Sequence, residues 1–371
     1  MRIAVPREIK NNEFRVAITP SCVHELSANG HTVFVQAGAG LGSSISDSAF
    51  AAAGATIIAD AAETWAAGDV VLKVKEPVQS EYGYFRPGLV LFTYLHLAAN
   101  SALTSALIDG GVTAIAYETV QLSNRTLPLL APMSEVAGRL APLVGAHAML
   151  KPAGGPGLLL SGVPGTYPAT VTVLGGGVAG SNALQMAVGM GADVRVLDTN
   201  LFRLRELDAL YGGRITTVAS STLEVERAVT TSDLVIGSVL VPGAKAPKLV
   251  SNELVSRMRP GSVLVDIAID QGGCFADSRA TTHADPTFTV HNSIFYCVAN
   301  MPGAVPTTST FALTNATLPY VRAVANTGWR EAMRADAALA RGLNVHGGEL
   351  TNEAVATAHG LNFREIDDLL H

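Results

Sequence analysis

The chain has 371 residues, of which 15% are charged, and its formal net charge is −6. That length allows two domains with sizeable cores. The sequence has no basic cluster of the kind that binds nucleic acid or an anionic membrane surface, so we expect neither as a partner. Its three scattered cysteines favour free thiols in a reducing compartment, the cytoplasm, over a disulfide framework or a zinc site. The N-terminal MRIAVPREIKNNEFR lacks the apolar stretch of a signal peptide.

The first part of the chain alternates short apolar runs with helical or polar spacers. The runs are RIAVP, TVFVQAG, ATIIA, DVVLKVK, LVLFTYLH and TAIAYE. Short β-rich runs between helical patterns are typical of βαβ units, so they predict a parallel sheet.

Polar residues occur where these predicted strands end. Lys75, His96 and Glu118 each close one run, and Arg15 lies in the loop after the first run. Open α/β sheets bind ligands at the carboxyl ends of their strands, so we expect a polar site in this half. Any one of these residues could instead be a capping or surface residue. Lys73 alternates with Lys75 along one run, and the pattern alone does not separate the two.

The most specific motif is the stretch from Thr170 to Asp198, which reads as strand, glycine turn, helix, strand and acid. Gly175, Gly177 and Gly180 fit the spacing G-x-G-x-x-G, in which a helix N-terminus faces the pyrophosphate of a dinucleotide. Asp198 follows 18 residues after Gly180, close to the spacing of the acid that binds the ribose. The alternative is a glycine-rich turn without a ligand.

Asp198 also predicts which dinucleotide binds. A carboxylate accepts hydrogen bonds from the ribose hydroxyls of NAD and repels the 2′-phosphate of NADP. Arg203 and Arg205 lie just downstream and could weaken this preference, or they could form the solvated face of the next helix. We therefore expect NAD as the cofactor.

The stretch 152–192 has no charged residue and imitates a membrane span. It contains repeated Gly and Pro, and its second half is the glycine motif. A buried parallel strand followed by a buried helix explains it better than lipid does.

The αβ alternation continues after the glycine motif. SDLVIGSVLVPG and FYCVANMPGAVP predict strands, and GSVLVDIAIDQGG predicts a strand whose end carries Asp266 and Asp270. Asp270 could alternatively be a turn aspartate beside two glycines. SNELVSRMRPG predicts a helix, 127–151 predicts a long helix entered through Pro132, and 307–328 predicts a helix with a proline interruption.

These patterns predict two Rossmann-like, doubly wound parallel-sheet domains with a cleft between them. Residues 1–128 and 307–371 would form a discontinuous substrate and catalytic domain, and residues 129–306 an NAD-binding domain.

At this level of detail the chain resembles a known family. PREIKNNEFRVAITP and VLGGGVAGSNALQMAVGMGADVRVLD resemble the two signature sequences of the alanine dehydrogenase and pyridine nucleotide transhydrogenase family. Further segments are similar to the same family, namely VLKVKEP, LHLAA, LLAPMSEVAGR, VLVPGAKAPKLV, VDIAIDQGGCF and YCVANMPGAVP. The resemblance weakens only near the C-terminus. One difference is Gly176, since the middle of this glycine turn is more often alanine.

The resemblance implies a reversible, NAD-dependent oxidative deamination of L-alanine to pyruvate and ammonia. Glyoxylate, which is smaller than pyruvate, could serve as a second keto acid and would give glycine. The resemblance implies that Arg15 and Lys75 bind the substrate and that His96 and Asp270 are the catalytic pair. It also implies homo-oligomers, usually hexamers. No metal is needed, because the cations would polarise the carbonyl group. The NAD site would be lined by Ser134, Gly175, Gly177, Val178, Ala179, Gly180, Asp198, Arg203, Ser220, Val239, Leu240, Ile267, Asp270, Arg279, Val298, Asn300 and Met301.

Two other functions remain open at this point. The chain could be the soluble NAD-binding component of a transhydrogenase, or a non-catalytic NAD-responsive binding module. Arg15, Lys75 and His96 argue against the first, because a transhydrogenase component does not need them for an amino-acid substrate. Turnover of NADH with pyruvate would exclude the second.

Overall fold

A computed structural model describes residues 1–239 and 246–370 of the chain. The chain divides into two compact units. The first unit consists of Met1–Met133 together with the chain from Val305 onward, and the second unit is Ser134–Ala304. Each unit is built around one sheet that is mainly parallel.

The strands of the described residues are short, as expected for α/β units. In chain order they are β1 (Arg2–Val5), β2 (Thr32–Gln36), β3 (Thr56–Ile58), β4 (Val70–Leu72), β5 (Val90–Thr93), β6 (Thr113–Ala116), β7 (Thr170–Leu174), β8 (Asp193–Asp198), β9 (Thr216–Ala219), β10 (Leu234–Gly237), β11 (Val263–Asp266), β12 (Thr287–Val290), β13 (Ser293–Tyr296), β14 (Leu343–His346) and β15 (Glu349–Leu350).

Helices connect most of these strands. They are α1 (Pro20–Ala28), α2 (Asp47–Ala52), α3 (Ala61–Ala67), α4 (Ser101–Asp109), α5 (Ala131–Ala148), α6 (Val178–Gly189), α7 (Leu201–Tyr211), α8 (Thr222–Thr230), α9 (Asn252–Ser256), α10 (Pro306–Thr327), α11 (Trp329–Ala335), α12 (Ala337–Ala340), α13 (Glu353–His359) and α14 (Asp367–Leu370).

The sheet of the first unit has the order β15-β14-β6-β5-β4-β1-β2-β3. Strands β1 to β6 run parallel, with Ile3 paired to Val33 on one side and to Val70 on the other. The winding reverses between β1 and β4, which makes this point the topological switch of the sheet. Strands β14 and β15 add an antiparallel edge.

The sheet of the second unit repeats this topology in the order β12-β13-β11-β10-β7-β8-β9. Its switch point lies between β7 and β10, where Val171 pairs with Val194 on one side and with Leu234 on the other. Among its strands in the described residues, only β12 runs antiparallel, against β13. The two doubly wound sheets confirm the fold class predicted from the sequence.

Apolar side chains explain why these strands form. Strands β4, β5, β6, β10, β11 and β13 are buried along their whole length, because the helices of a doubly wound sheet cover both of its faces. In the first unit the core includes Trp65, Leu91 and Leu107. In the second unit it includes Leu264 and Phe295.

The predicted strands are confirmed, but several details of the sequence prediction are wrong. The antiparallel strands β12, β14 and β15 were not expected. The proline interruption expected in 307–328 is absent, because α10 runs unbroken with Pro319 inside it. An internal proline costs about 3 kcal/mol. The long buried face of α10, which includes Leu313 and Val321, outweighs that loss.

The uncharged stretch 152–192 contains β7 and α6, as predicted. Among the helices of residues 1–239 and 246–370, none combines the length and apolar character needed to cross a membrane.

Candidate active site

The nucleotide-site candidates of the second unit lie along one edge of its sheet. Parallel strands all end at the same edge, and the switch point between β7 and β10 is a common ligand site of such sheets. After β7 come Gly175 to Gly180, Asp198 ends β8, Ser220 follows β9, Val239 follows β10, Ile267 and Asp270 follow β11, and Val298, Asn300 and Met301 follow β13. Leu240, also a candidate, lies outside the described residues.

The glycine turn has the geometry of a phosphate-binding turn. Gly175 has a left-handed backbone with φ of +98°, which favours glycine. A Cβ atom on Gly180 would lie 1.8 Å from the carbonyl oxygen of Gly175, so α6 packs directly on the turn. A Cβ atom on Gly177 would meet no atom within 4 Å. This open space borders the N-terminus of α6, where backbone N–H groups favour an anion.

Asp198 and Arg203 both bind the middle of the glycine turn. Asp198 Oδ2 accepts a hydrogen bond of 2.7 Å from the N–H of Gly176, and its Oδ1 accepts one of 2.7 Å from the N–H of Asn200. Arg203 Nε donates to the Gly176 carbonyl at 2.7 Å, and its Nη2 donates to Ser181 Oγ at 2.7 Å. The acid that ends β8 and the first turn of α7 therefore fix the shape of the glycine turn.

Ser134 lies on α5, which packs against the start of α6. One helical turn further along α5, a Cβ atom on Gly138 would lie 2.2 Å from the carbonyl oxygen of Ala179. Residues four apart share one face of a helix, so Ser134 lies on the face of α5 that packs against the start of α6.

The remaining candidates of the second unit are held by neighbouring loops. The Arg279 guanidinium lies 4.2 Å from the centre of the Phe288 ring, a cation–π contact. Asn300 has a left-handed backbone with φ of +65°, and its carbonyl oxygen lies 3.2 Å from His283 Nε2. Met301 is buried.

Asp270 lies beyond the end of its strand. The expectation that it ends the strand is wrong, because β11 ends at Asp266 and Asp270 belongs to a short 3₁₀ helix, Ile269–Gln271. The side chain of Asp270 is exposed. Asp266 is fully buried.

The polar candidates of the first unit also follow the carboxyl ends of its strands. Lys75 lies three residues past β4, His96 three residues past β5, and Glu118 two residues past β6, so the expectation that they close the strands is wrong by that margin. Arg15 lies in the loop between β1 and α1. These strands lie at and beyond the switch between β1 and β4.

Arg15 is buried and held by Glu13. Its Nε donates to Glu13 Oε1 at 2.7 Å and its Nη2 donates to Glu13 Oε2 at 2.6 Å, which is a bidentate pair. Its Nη1 lies 3.0 Å from Met133 Sδ. The side chains of the pair are 1% and 0% exposed, so removing either partner would leave a buried charge.

The structure separates Lys73 from Lys75. Lys73 Nζ is buried between two carboxylates, 3.1 Å from Glu8 Oε2 and 3.0 Å from Glu81 Oε1. Lys75 is also largely buried, but within the described residues its ammonium group makes no ion pair or hydrogen bond. Lys73 is therefore held by two buried carboxylates, whereas within the described residues no ion pair or hydrogen bond holds the Lys75 ammonium group.

His96 is fixed through its backbone. It has a left-handed φ of +50°, and its N–H donates to Glu118 Oε1 at 2.6 Å. Its ring stacks on Tyr94 with the ring centres 6.0 Å apart, and the Tyr94 hydroxyl donates to the Leu129 carbonyl at 2.6 Å. The imidazole is 38% exposed, and its Nδ1 lies 3.9 Å from Glu118 Oε1. It is thus oriented by its neighbours and still accessible.

The pKa of Glu76 reflects the positive charge near Lys75 and His96. Burial alone would raise the pKa of its carboxyl group, but the charges of Lys75, Lys10 and His96 outweigh burial and hold that pKa below its usual value. Lys10 Nζ also donates directly to Glu76.

Sequence reasoning missed the acids that hold the cations. Glu13 had a weak local signal, since it lies two residues before Arg15. Glu8 and Glu81 gave no signal, because Glu8 meets Lys73 across 65 residues of chain. Only the folded sheet brings them together.

No metal centre is evident in the described part of the chain, where no group of three or more His, Cys, Asp or Glu side chains could hold a metal ion. Cys22, Cys274 and Cys297 are buried free thiols. Burial raises the pKa of both Cys274 and Cys297 to about 12, so these thiols are poor nucleophiles.

Comparison with known proteins covers the whole of this architecture. The family model "Alanine dehydrogenase/PNT, N-terminal domain" matches residues 4–137, and the model "Alanine dehydrogenase/PNT, C-terminal domain" matches residues 141–353. The chain is 61% identical to an alanine dehydrogenase of Mycobacterium tuberculosis over 370 residues, which is 100% of both chains.

Solved structures similar to this chain include the following two. One is an L-alanine dehydrogenase, with a TM-score of 0.94, 50% identity and coverage of 97% of this chain and 99% of the other. The second is a transhydrogenase from Sinorhizobium meliloti, with a TM-score of 0.81, 26% identity and coverage of 95% and 100%.

The glycine turn predicts opposite results for two alanine substitutions. Gly180→Ala should destabilise the protein by about 1–3 kcal/mol, because its Cβ would overlap the Gly175 carbonyl oxygen. Gly177→Ala should leave the melting temperature nearly unchanged, because the space around it is open, but should weaken binding of NADH by filling that space. Scanning fluorimetry and NADH fluorescence titration measure both. Wild-type NADH affinity in Gly177→Ala would show that the pyrophosphate does not bind there.

Substitution of Lys73 and of Lys75 by methionine should have different effects. Lys73→Met should cost about 3–5 kcal/mol of unfolding free energy, because it leaves two carboxylates buried without their cation. Lys75→Met should change stability much less, but should raise KM for a keto-acid substrate. Urea unfolding and steady-state kinetics test the pair. A stable Lys73→Met protein with a raised KM would reverse the two roles.

Proposed function

Because the chain belongs to the alanine dehydrogenase/PNT family, we propose that it catalyses the reversible, NAD-dependent oxidative deamination of L-alanine to pyruvate and ammonia. The observation that carries the proposal is its full-length identity with curated alanine dehydrogenases. A transhydrogenase component is the weaker alternative, because that structural match has about half the sequence identity of the match to L-alanine dehydrogenase.

The glycine turn of the second unit fits NAD. The open space over Gly177 would receive the pyrophosphate, and Asp198 would bind the ribose hydroxyls. The Arg203 guanidinium is already committed to Gly176, Ser181 and Glu206, which makes it a poor partner for the 2′-phosphate of NADP. When bound, NAD supplies a hydride acceptor for Cα of the amino acid.

We place the substrate on Arg15 and Lys75, with its carboxylate on Arg15. A guanidinium suits a carboxylate because its planar donors match two oxygens. Glu13 takes Nε and a donor of Nη2 and holds this guanidinium in one orientation, so a substrate carboxylate would meet the Nη groups. Lys75 would add a second cation that polarises the carbonyl oxygen of pyruvate. Both residues lie at the carboxyl edge of the first sheet, where ligands of such sheets bind.

His96 and Asp270 would move the protons of the reaction. Hydrolysis of the imine formed from alanine requires water to lose a proton and ammonia to leave with one. An imidazole suits both transfers near neutral pH. The ring of His96 is accessible, oriented by Tyr94 and anchored through Glu118. The exposed carboxylate of Asp270 would hold the attacking water.

We also propose a homohexamer, as the family resemblance implies, in a reducing compartment such as the cytoplasm. The three free thiols support the compartment.

The function predicts a specific pattern of substrate dependence. NADH should be oxidised only when both pyruvate and ammonium are present, with glyoxylate and 2-oxobutyrate as slower keto acids and NADPH as a much poorer reductant. Spectrophotometric assays of NADH loss measure this. Binding of NADH without turnover would indicate a binding module instead, and equal use of NADH and NADPH would refute the role of Asp198.

The proton-transfer pair predicts large, non-additive losses. His96→Ala and Asp270→Asn should each lower kcat by about 10²–10⁴-fold while NADH still binds. The double variant should lose little more than either single variant, because either change disables one step. Near wild-type kcat in His96→Ala would remove His96 from the acid–base role.

A further inference from the structure

Asp270 lies in the loop that follows β11, between the buried Asp266 and the buried Cys274 and Phe275. The loop leaves the strand at Asp266, forms the 3₁₀ helix that contains Asp270, and returns at Ser278. Asp270 is exposed, whereas Cys274 and Phe275 on the return path are buried. The position of Asp270 therefore depends on what holds the two ends of the loop.

Asp266 holds the loop from inside. Its carboxylate is 0% exposed and accepts hydrogen bonds from the N–H groups of Ala268 at 3.1 Å and Cys274 at 2.8 Å. It also accepts a longer bond from the N–H of Phe275 and one from Ser278 Oγ. Every partner is a donor, which suits a carboxylate because an ionised carboxylate only accepts. One side chain thus ties both ends of the loop together.

Gly273 lets the loop close around this carboxylate. A Cβ atom there would lie 2.5 Å from Asp266 Oδ2, and its φ of +79° is left-handed. Any other residue would push the loop away from Asp266 or strain the backbone.

Lys248 holds the loop from the opposite side. Its Nζ donates to the carbonyl oxygens of Gly272 and Phe275, the latter at 2.8 Å. The neighbouring backbone adds a bond of 2.7 Å from the N–H of Leu249 to the carbonyl of Cys274. The buried Asp266 carboxylate therefore accepts hydrogen bonds from donors of the loop, and the Lys248 ammonium group donates hydrogen bonds to its carbonyl oxygens.

We propose that Asp266 and Lys248 are positioning residues for Asp270, acting through this loop and not on the substrate. The proposal rests on the proposed function, because that function assigns Asp270 its role in proton transfer. It goes further by naming the two residues that hold Asp270 in its reactive position.

The kinetic test compares Asp266→Asn and Lys248→Met, each in the wild-type and the Asp270→Asn background of the full-length enzyme. The matched control is Asp277→Asn, an aspartate of the same loop that accepts a bond of 3.0 Å from Asn252. Asp266→Asn should lower kcat on the order of tenfold to a hundredfold, the loss expected for a displaced catalytic group. KM for pyruvate and NADH affinity should change less than about threefold, a limit well inside that loss.

Coupling to Asp270 separates positioning from a general structural effect. In the Asp270→Asn background, Asp266→Asn and Lys248→Met should lower the residual kcat by less than about threefold, because the group they position is already disabled. Asp277→Asn should keep wild-type kcat in both backgrounds. Equal losses in the two backgrounds, or a loss of NADH affinity as large as that of kcat, would overturn the proposal.

Hydrogen exchange measures how firmly the loop is held, independently of catalytic turnover. Peptides covering 267–279 should exchange faster in Asp266→Asn and Lys248→Met than in the wild type, and no faster in Asp277→Asn. Unchanged exchange would overturn the proposal even if kcat falls. If Asp266→Asn fails to fold, Ser278→Ala, which removes one donor, and Lys248→Met decide the question. A wild-type protein that does not oxidise alanine would refute the proposed function, and the exchange result would still decide whether these residues hold the loop.

Discussion

The common direction of the parallel strands is the constraint on which both candidate sites depend. In each unit the strands wind in the same order about a switch point, so the residues that follow them lie along one edge of the sheet. A glycine turn after β7 and an acid at the end of β8 become neighbours for this reason, although a whole helix separates them in sequence. The same geometry brings the residues after β4, β5 and β6 to one edge of the first sheet.

Buried charges then fix the loops that follow the strands. Arg15 forms an ion pair with Glu13, and Lys73 lies between two glutamates. Asp266 accepts hydrogen bonds from donors of its own loop. Pairs of this kind contribute little net stability compared with apolar packing, but breaking one is costly. These buried charges restrict each loop to one favourable conformation. Loops that must present a reactive side chain gain most from that restriction.

The sequence predicted the parts of the fold that depend on local patterns. Apolar runs marked the buried parallel strands, and glycine spacing marked the turn after β7. It missed the strand pair β14 and β15, because Asn344 interrupts the apolar residues of β14 and β15 is only two residues long. It could not distinguish Lys73 from Lys75. The two lysines differ in whether a glutamate from a distant part of the chain binds them, as Glu8 binds Lys73 across 65 residues. Polar partners follow from tertiary structure, and spacing along the chain does not encode them.

The charge balance of the first unit indicates what kind of substrate it accepts. Arg15 is matched by Glu13, and Lys73 is matched by buried carboxylates, one of which is Glu8. Burial raises the pKa of the Glu8 carboxyl group, and the neighbouring charge of Lys73 opposes that rise. Lys75 is different, because within the described residues no carboxylate is bonded to it, and Glu76, whose pKa its charge lowers, is bonded to Lys10. A largely buried cation in that state stabilises an anion and disfavours a cation. The proposed arrangement, with the substrate carboxylate on Arg15 and the carbonyl oxygen of pyruvate near Lys75, would therefore suit this charge.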